Sequence, residues 1–134
     1  MKNLLPLLLL TASLAGCQRG ATTSPGPEST LLGSWRLTGY QCHCPPNQPV
    51  PDESVTFGAG QHFKLYRNQA LAAEGTYTTG QGASCGGTPE PIITLTPTAA
   101  STYAPKGAYT LEGNTLVIDQ CSAADGPRYT YTRQ

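Results

Sequence analysis

The feature that most constrains the fold is a repeated alternation of apolar and polar side chains, interrupted by Gly and Pro. Eight short segments alternate in this way and are rich in Thr, Tyr, Val and Ile: 35–37, 55–57, 63–65, 75–79, 93–95, 109–111, 116–118 and 129–131. Such alternation predicts β-strands with one buried face. No window beyond Thr30 shows helical spacing without Gly or Pro interrupting it, so an all-β domain is expected.

The turns between these segments predict how the strands are connected. Tight turns rich in Gly and Asn lie at 58–60, 67–69 and 112–114, and predict antiparallel hairpins. Four longer links, at 45–52, 80–91, 97–106 and 122–127, are expected outside the sheet because of their Pro and Gly. An eight-stranded antiparallel up-and-down barrel is the favoured architecture, since closure leaves no free edge. A sandwich is the main alternative.

Short motifs at both ends of the domain add a family resemblance. Gly33-Ser34-Trp35 is similar to the Gly-x-Trp signature of lipocalins, and Arg133 stands where the lipocalin arginine packs over that tryptophan. Segments 55–57, 75–77, 109–116 and 129–131 resemble strands of small bacterial lipocalin-like lipoprotein domains. The resemblance implies a lipocalin-like barrel with Trp35 near Arg133, and a small apolar ligand inside it.

The N-terminus has the pattern of an export signal. A lysine precedes a leucine-rich stretch that ends by residue 16, well short of the roughly twenty residues that a membrane-spanning helix needs. Leu14-Ala15-Gly16-Cys17 then resembles a lipobox, which predicts cleavage before Cys17 and attachment of acyl chains such as palmitate to it. An ordinary secretory signal with a chance cysteine is the alternative.

These features divide the chain into three parts. Residues 1–16 are the expected lipoprotein signal peptide, 17–30 a lipid-anchored flexible tether without large apolar side chains, and 31–134 the barrel domain. Gln18 is not the aspartate that often retains lipoproteins at the inner membrane. We therefore expect a cell-envelope protein, lipid-anchored at the outer membrane and facing the periplasm.

The charge balance limits the partners. The chain has eight basic and eight acidic side chains, and removal of Lys2 with the signal leaves seven basic ones. A nearly neutral domain attracts neither nucleic acid nor an anionic membrane surface. The lipid anchor is thus the expected membrane contact, and the protein is expected to be a monomer.

Four cysteines remain after Cys17. An even count in a small exported domain predicts two disulfides. A direct bridge between Cys42 and Cys44 closes a very small ring with poor geometry. We therefore expect each to bridge to one of Cys85 and Cys121, with none of the four serving function directly.

A metal site is the alternative use of these cysteines. Cys42, His43, Cys44 and His62 carry ligands that suit zinc or copper. Strand alternation is against it, because it places His43 on the opposite face from the two cysteines. We therefore expect that the protein binds no metal and no cofactor.

Three functions remain to be compared. Catalysis has the least support, because acidic residues are scattered, mostly in turns, and no hydrolase pattern is present, so the chain is not expected to be an enzyme. A barrel of eight strands either holds one small ligand or is filled by its own side chains. An envelope interaction protein would instead contact a protein or glycan through the Pro-rich loop at 44–49 or the loop at 80–91.

Overall fold

The computed structural model describes residues 30–99 and 103–134, and these residues form one eight-stranded antiparallel barrel. The strands follow one another in chain order: β1 Gly33–Gln41, β2 Glu53–Gly58, β3 His62–Arg67, β4 Ala70–Gly82, β5 Glu90–Pro97, β6 Lys106–Glu112, β7 Thr115–Asp119 and β8 Arg128–Arg133. Two 3-10 turns, Ala59–Gln61 and Ser122–Ala124, are the described helical elements. The all-β prediction is confirmed.

The barrel closes where the first strand pairs with the last. Trp35 of β1 lies directly opposite Arg133 of β8, and Gln41 lies opposite Arg128. Each strand therefore has two neighbours, so the sheet has no edge strand. The expected meander is confirmed, and the alternative of two packed sheets is wrong.

All eight predicted segments lie within strands, but two of the predicted links are shorter than expected. Residues 80–82 continue β4, where Gly80 pairs with Ile92 and Gly82 with Glu90. Pro91 and Pro97 lie at the two ends of β5, where the missing N–H donor of proline is best tolerated. Glycine and proline therefore did not keep these stretches out of the sheet, whereas 45–52 and 122–127 lie outside it as predicted.

The strands are strongly staggered around the barrel. Ile92, near the start of β5, pairs with Ala108 of β6, and Ala108 pairs with Asp119 at the end of β7. Strand tilt and stagger of this kind are required to close a barrel. As a result the start of β5 is level with the end of β7. The β4–β5 loop and the β7–β8 loop are therefore close, although they follow strands that run in opposite directions.

Candidate functional site

The barrel interior is filled by the protein's own side chains. Fourteen apolar residues are at most 8% exposed and form one cluster: Trp35, Leu37, Val55, Phe57, Phe63, Leu65, Ala73, Tyr77, Ile93, Leu95, Leu116, Ile118, Tyr129 and Tyr131. They come from every strand except β6, whose Tyr109 and Leu111 pack against the cluster while half-buried. Three tyrosines, Tyr77, Tyr129 and Tyr131, are therefore part of the core.

A buried carboxylate lies among these apolar side chains at one end of the barrel. Glu53, the first residue of β2, is only 1% exposed. Its Oε1 accepts a 2.7 Å hydrogen bond from the phenol of Tyr131 and a 3.4 Å one from Tyr103. The Nε of Arg67 donates a 2.9 Å hydrogen bond to Oε2 and forms an ion pair with it. The buried charge is thus both hydrogen-bonded and neutralised, as burial requires.

Aromatic side chains cover this carboxylate. The guanidinium carbon of Arg67 lies 3.7 Å from the centre of the Tyr103 ring, a cation–π arrangement. Tyr103 in turn lies edge-on to Tyr129, with ring centres 5.9 Å apart, and Tyr129 packs against Tyr40 at 5.3 Å. The end of the barrel beside Glu53 is therefore closed by a stack that runs from Arg67 to Tyr40.

The tyrosines at this end resist ionisation. Burial raises the pKa of Tyr131 well above its ordinary value, and the negative charge of Glu53 raises it further. Burial, followed by the charge of Glu53, also raises the pKa of Tyr103. Both phenols therefore remain protonated donors to the carboxylate.

The burial of Glu53 was not predicted from the sequence. From the sequence, the acidic residues are expected to lie mostly in turns, whereas Glu53 lies in β2. The signal was present, because Glu53 shares the parity of Val55 and Phe57 and therefore their inward face. Arg67 likewise shares the parity of Leu65 in β3.

The opposite end of the barrel is closed by Trp35 and Arg133. The guanidinium carbon of Arg133 lies 4.2 Å from the centre of the indole ring, so the predicted packing is confirmed. Arg133 donates 2.7 Å hydrogen bonds to the carbonyls of Leu32 and Thr30, and the Trp35 indole N–H donates to the Leu31 carbonyl at 2.8 Å. Residues 30–32 are thereby attached across this end. Gly33, the remaining residue of the signature, begins β1 with φ +122°, a region favouring glycine.

The cysteine pairing differs from expectation. Cys85 is paired with Cys121, and Cys42 with Cys44, each with Cα atoms 5.2 Å apart. The expectation that Cys42 and Cys44 each bridge to a distant cysteine is therefore wrong. The stagger explains the first pair: the loop at 83–89 folds along the barrel side, where Ala83 and Gln120 line the same cleft.

The residues of the alternative metal site do not converge. His62 begins β3 opposite Gly58, at the end of the barrel away from the 42–44 segment. His43 instead contacts Asp125, with 3.5 Å between Nδ1 and Oδ1. Among residues 30–99 and 103–134, no group of three His, Cys, Asp or Glu side chains is placed to hold a metal ion.

The segment between β1 and β2 is exposed at the end of the barrel beside Glu53. Residues 43–50 are all exposed. Two depressions flank the cysteine pair: one of about 350 Å³ is lined by Tyr40 and residues 44–48, and one of about 280 Å³ includes His43 and Asp125. Cys42 contributes to both depressions. Surface loops on a rigid barrel are well suited to recognition.

Other expected sites lie outside the described residues. They are the signal peptide at 1–16, Cys17 and nearly all of the tether. Within the described part of the chain, no helix has the length and apolar character needed to cross a membrane. No protein-family model matches the chain, and comparisons with curated proteins and with solved structures likewise found no match.

Proposed function

We propose that this protein is a lipid-anchored component of the bacterial cell envelope that acts through the loops of a lipocalin-like barrel, without an interior ligand and without catalysing a reaction. The observation that carries the proposal is the filled interior. Fourteen buried apolar side chains and a neutralised Glu53 occupy the space that an internal ligand would need.

The lipocalin-like assignment is supported by one end of the barrel. Gly33, Trp35 and Arg133 occupy the three positions of the signature, and the arginine lies over the indole ring. The eight-stranded meander agrees with that assignment. Fold does not by itself supply a function, so the function depends on which residues the barrel exposes.

The anchor is proposed from the N-terminal sequence. Leu14 to Cys17 follows an apolar stretch directly, and the residues after Cys17 contain no large apolar side chain before Leu31. Two or three acyl chains on Cys17 would hold the protein to a membrane stably, because each buried methylene contributes about 0.8 kcal/mol. The tether would let the barrel approach partners at that membrane.

The exposed segment at 43–50 is the proposed contact surface. It carries Pro45, Pro46 and Pro49, which limit its conformational freedom and so lower the entropy lost on binding. Val50 is 43% exposed, so its apolar side chain is accessible to a partner. These residues favour a protein or glycan partner at this end of the barrel.

The filled interior is tested with a fluorescent apolar probe. The protein lacking residues 1–17 is titrated with the probe, and no saturable binding is expected. Phe57→Ala is the matched control, because it removes a fully buried ring and opens an apolar cavity of the kind that accepts small apolar molecules. Saturable binding to the unmodified barrel would instead support the second candidate function, an apolar-ligand carrier.

The contact surface is tested by photo-crosslinking in intact cells. A photoreactive amino acid at Gln48 is expected to yield a discrete adduct. The same residue at Thr110, an exposed position on β6, serves as the control and is expected to yield none. No adduct from Gln48, or equal adducts from both positions, would contradict the proposed surface.

A further inference from the structure

We propose that the Cys42–Cys44 bridge is a thiol–disulfide exchange site for polypeptides that carry two thiols. This inference goes beyond the proposed function, because it adds a stoichiometric redox reaction to a surface that the proposed function uses only for contact. It departs from the expectation that none of the four cysteines serves function directly, and it does not depend on whether the barrel interior is filled. It rests on the position, exposure and sequence separation of one cysteine pair, compared with those of the other pair in the same domain.

The two bridges differ in the structural constraint they impose. Cys85 and Cys121 are separated by 36 positions and connect two distant loops, whereas Cys42 and Cys44 are separated by two. A bridge stabilises a fold mainly by limiting the unfolded chain, and the effect grows with the length of the closed loop. The Cys42–Cys44 bridge therefore contributes little to holding the barrel together.

A bridge between such close neighbours is also easier to reduce. The small ring restricts the torsions that a relaxed disulfide prefers, and strained or exposed disulfides are the ones that exchange. Cys44 is exposed and Cys42 is half-buried. An incoming thiolate thus has access to the sulfur of Cys44, with Cys42 as the leaving group.

The surroundings of the pair can accommodate a polypeptide. The depressions of about 350 and 280 Å³ lie on either side of it, and Pro45 and Pro46 line the larger one. His43 lies between the two cysteines in sequence, and its Nδ1 lies 3.5 Å from Oδ1 of Asp125 in the β7–β8 loop. Both side chains are exposed, so the contact places the β7–β8 loop beside the bridge without fixing the segment.

The exchange is balanced in two steps. A thiolate of the incoming polypeptide attacks the Cys44 sulfur, the Cys42–Cys44 bond breaks, and Cys42 leaves as a thiolate. The second thiolate of the polypeptide attacks its own partner sulfur in this mixed disulfide and releases Cys44. The polypeptide dithiol is oxidised to a disulfide, Cys42 and Cys44 are reduced, and the two protons lost by the polypeptide are taken up by the new thiolates.

The first test measures how easily each bridge is reduced. The oxidised protein lacking residues 1–17 is equilibrated with mixtures of reduced and oxidised glutathione, quenched in acid, alkylated and analysed by peptide mass spectrometry. We expect Cys42–Cys44 to be half reduced at a reduced-to-oxidised glutathione ratio at least about tenfold lower than Cys85–Cys121. Equal reduction of the two bridges, or earlier reduction of Cys85–Cys121, would overturn the proposal.

The second test measures the exchange itself with a synthetic unstructured peptide that carries two cysteines. The oxidised protein is expected to convert about one equivalent of peptide to its disulfide under anaerobic conditions. The Cys42→Ser/Cys44→Ser variant is expected to lose this activity, and the matched Cys85→Ser/Cys121→Ser variant to keep it. Peptide oxidation that persists without Cys42 and Cys44 would contradict the site.

A trapping experiment tests the site without the Cys85→Ser/Cys121→Ser variant, in case that variant does not fold. Cys42→Ser leaves Cys44 as a free thiol, which is expected to form a mixed disulfide with the oxidised peptide. Cys44→Ser, which leaves the less exposed Cys42, is expected to react at least about threefold more slowly, since access limits exchange. Equal rates would overturn the assignment of Cys44 as the attacked sulfur.

Discussion

Tyr131 and Glu53 are joined inside the barrel by a 2.7 Å hydrogen bond from the phenol to Oε1, which connects β8 to β2 past the intervening β1. Both side chains are almost fully buried. Tyr131 belongs to β8, the strand that closes the barrel by pairing with β1, and Glu53 is the carboxylate that Arg67 neutralises. The hydrogen bond therefore connects the closing strand to the buried ion pair.

The first prediction concerns this carboxylate. Glu53→Gln should lower the free energy of unfolding by about 2 to 3 kcal/mol, because Arg67 loses its counter-charge and Tyr131 loses a charged acceptor. The expected loss of stability is smaller than for a fully buried ion pair, because the Arg67 side chain is 41% exposed. Urea denaturation at neutral pH provides the measurement.

Tyr131→Phe is the matched control for that prediction, because it removes only the hydroxyl. It should cost about 1 to 2 kcal/mol, since the carboxylate keeps its arginine. A Glu53→Gln variant as stable as the unmodified protein would show that the network does not contribute to stability.

The second prediction concerns alkaline pH. Burial raises the pKa of Tyr129, as it does for Tyr131 and Tyr103, and burial with the Tyr109 charge raises that of Tyr77. The unfolded chain ionises its tyrosines near pH 10, before the folded chain does, and so binds fewer protons. Stability should therefore be complete below about pH 10 and fall above it, by up to about 1.4 kcal/mol per pH unit for each such tyrosine.

Unfolding curves between neutral pH and about pH 11.5 measure this decline. Absorbance of the phenolate should show these tyrosines ionising together with unfolding. Tyr131→Phe should reduce the slope above about pH 10 by one tyrosine's share. Complete tyrosine ionisation in the folded protein at the ordinary pKa would contradict the buried network.

The third prediction concerns the other end of the barrel. Trp35→Ala should lower the free energy of unfolding by roughly 3 to 5 kcal/mol, because it opens a cavity and removes the ring beneath Arg133. Arg133→Lys should cost less, about 1 kcal/mol, since the charge remains while one of the two carbonyl contacts is lost. A loss below about 1 kcal/mol for Trp35→Ala would mean that the indole is not part of the core.

The fourth prediction compares the two bridges. Cys85→Ala/Cys121→Ala should lower stability by about 4 kcal/mol, whereas Cys42→Ala/Cys44→Ala should lower it by about 1.5 kcal/mol, because the closed loops differ greatly in length. Denaturation of both variants provides the comparison. Thiol labelling of the denatured, unreduced protein should find no free thiol in the domain. A larger loss for the Cys42 pair, or labelled thiols with bound zinc or copper, would contradict the pairing described here.

Much of the fold follows from local pattern. Alternation places all eight strand centres, and the Gly- and Asn-rich turns place the hairpins, because side-chain parity and turn geometry are both determined within a few residues. The end of β4 does not follow, since residues 80–82 have no apolar alternation and are held only by ladder pairing with β5.

The site is less predictable than the strands, because it also depends on contacts between residues that are distant in sequence. Parity alone indicates that Glu53 faces inward, but its partners come from β3, β8 and the segment containing Tyr103. The Cys85–Cys121 pair depends on the stagger between β5 and β7, which is a property of the closed barrel. Such relationships between distant strands leave no local pattern in the sequence.

Native mass spectrometry of the full protein extracted from its membrane tests both the anchor and the filled interior. We expect the mass of residues 17–134 with two disulfides and two or three acyl chains on Cys17, and no further molecule. Gentle activation should then release nothing from the folded protein. A small apolar molecule bound in equal amount and released on activation, or an unacylated mature chain free in the medium, would contradict the anchored, filled barrel.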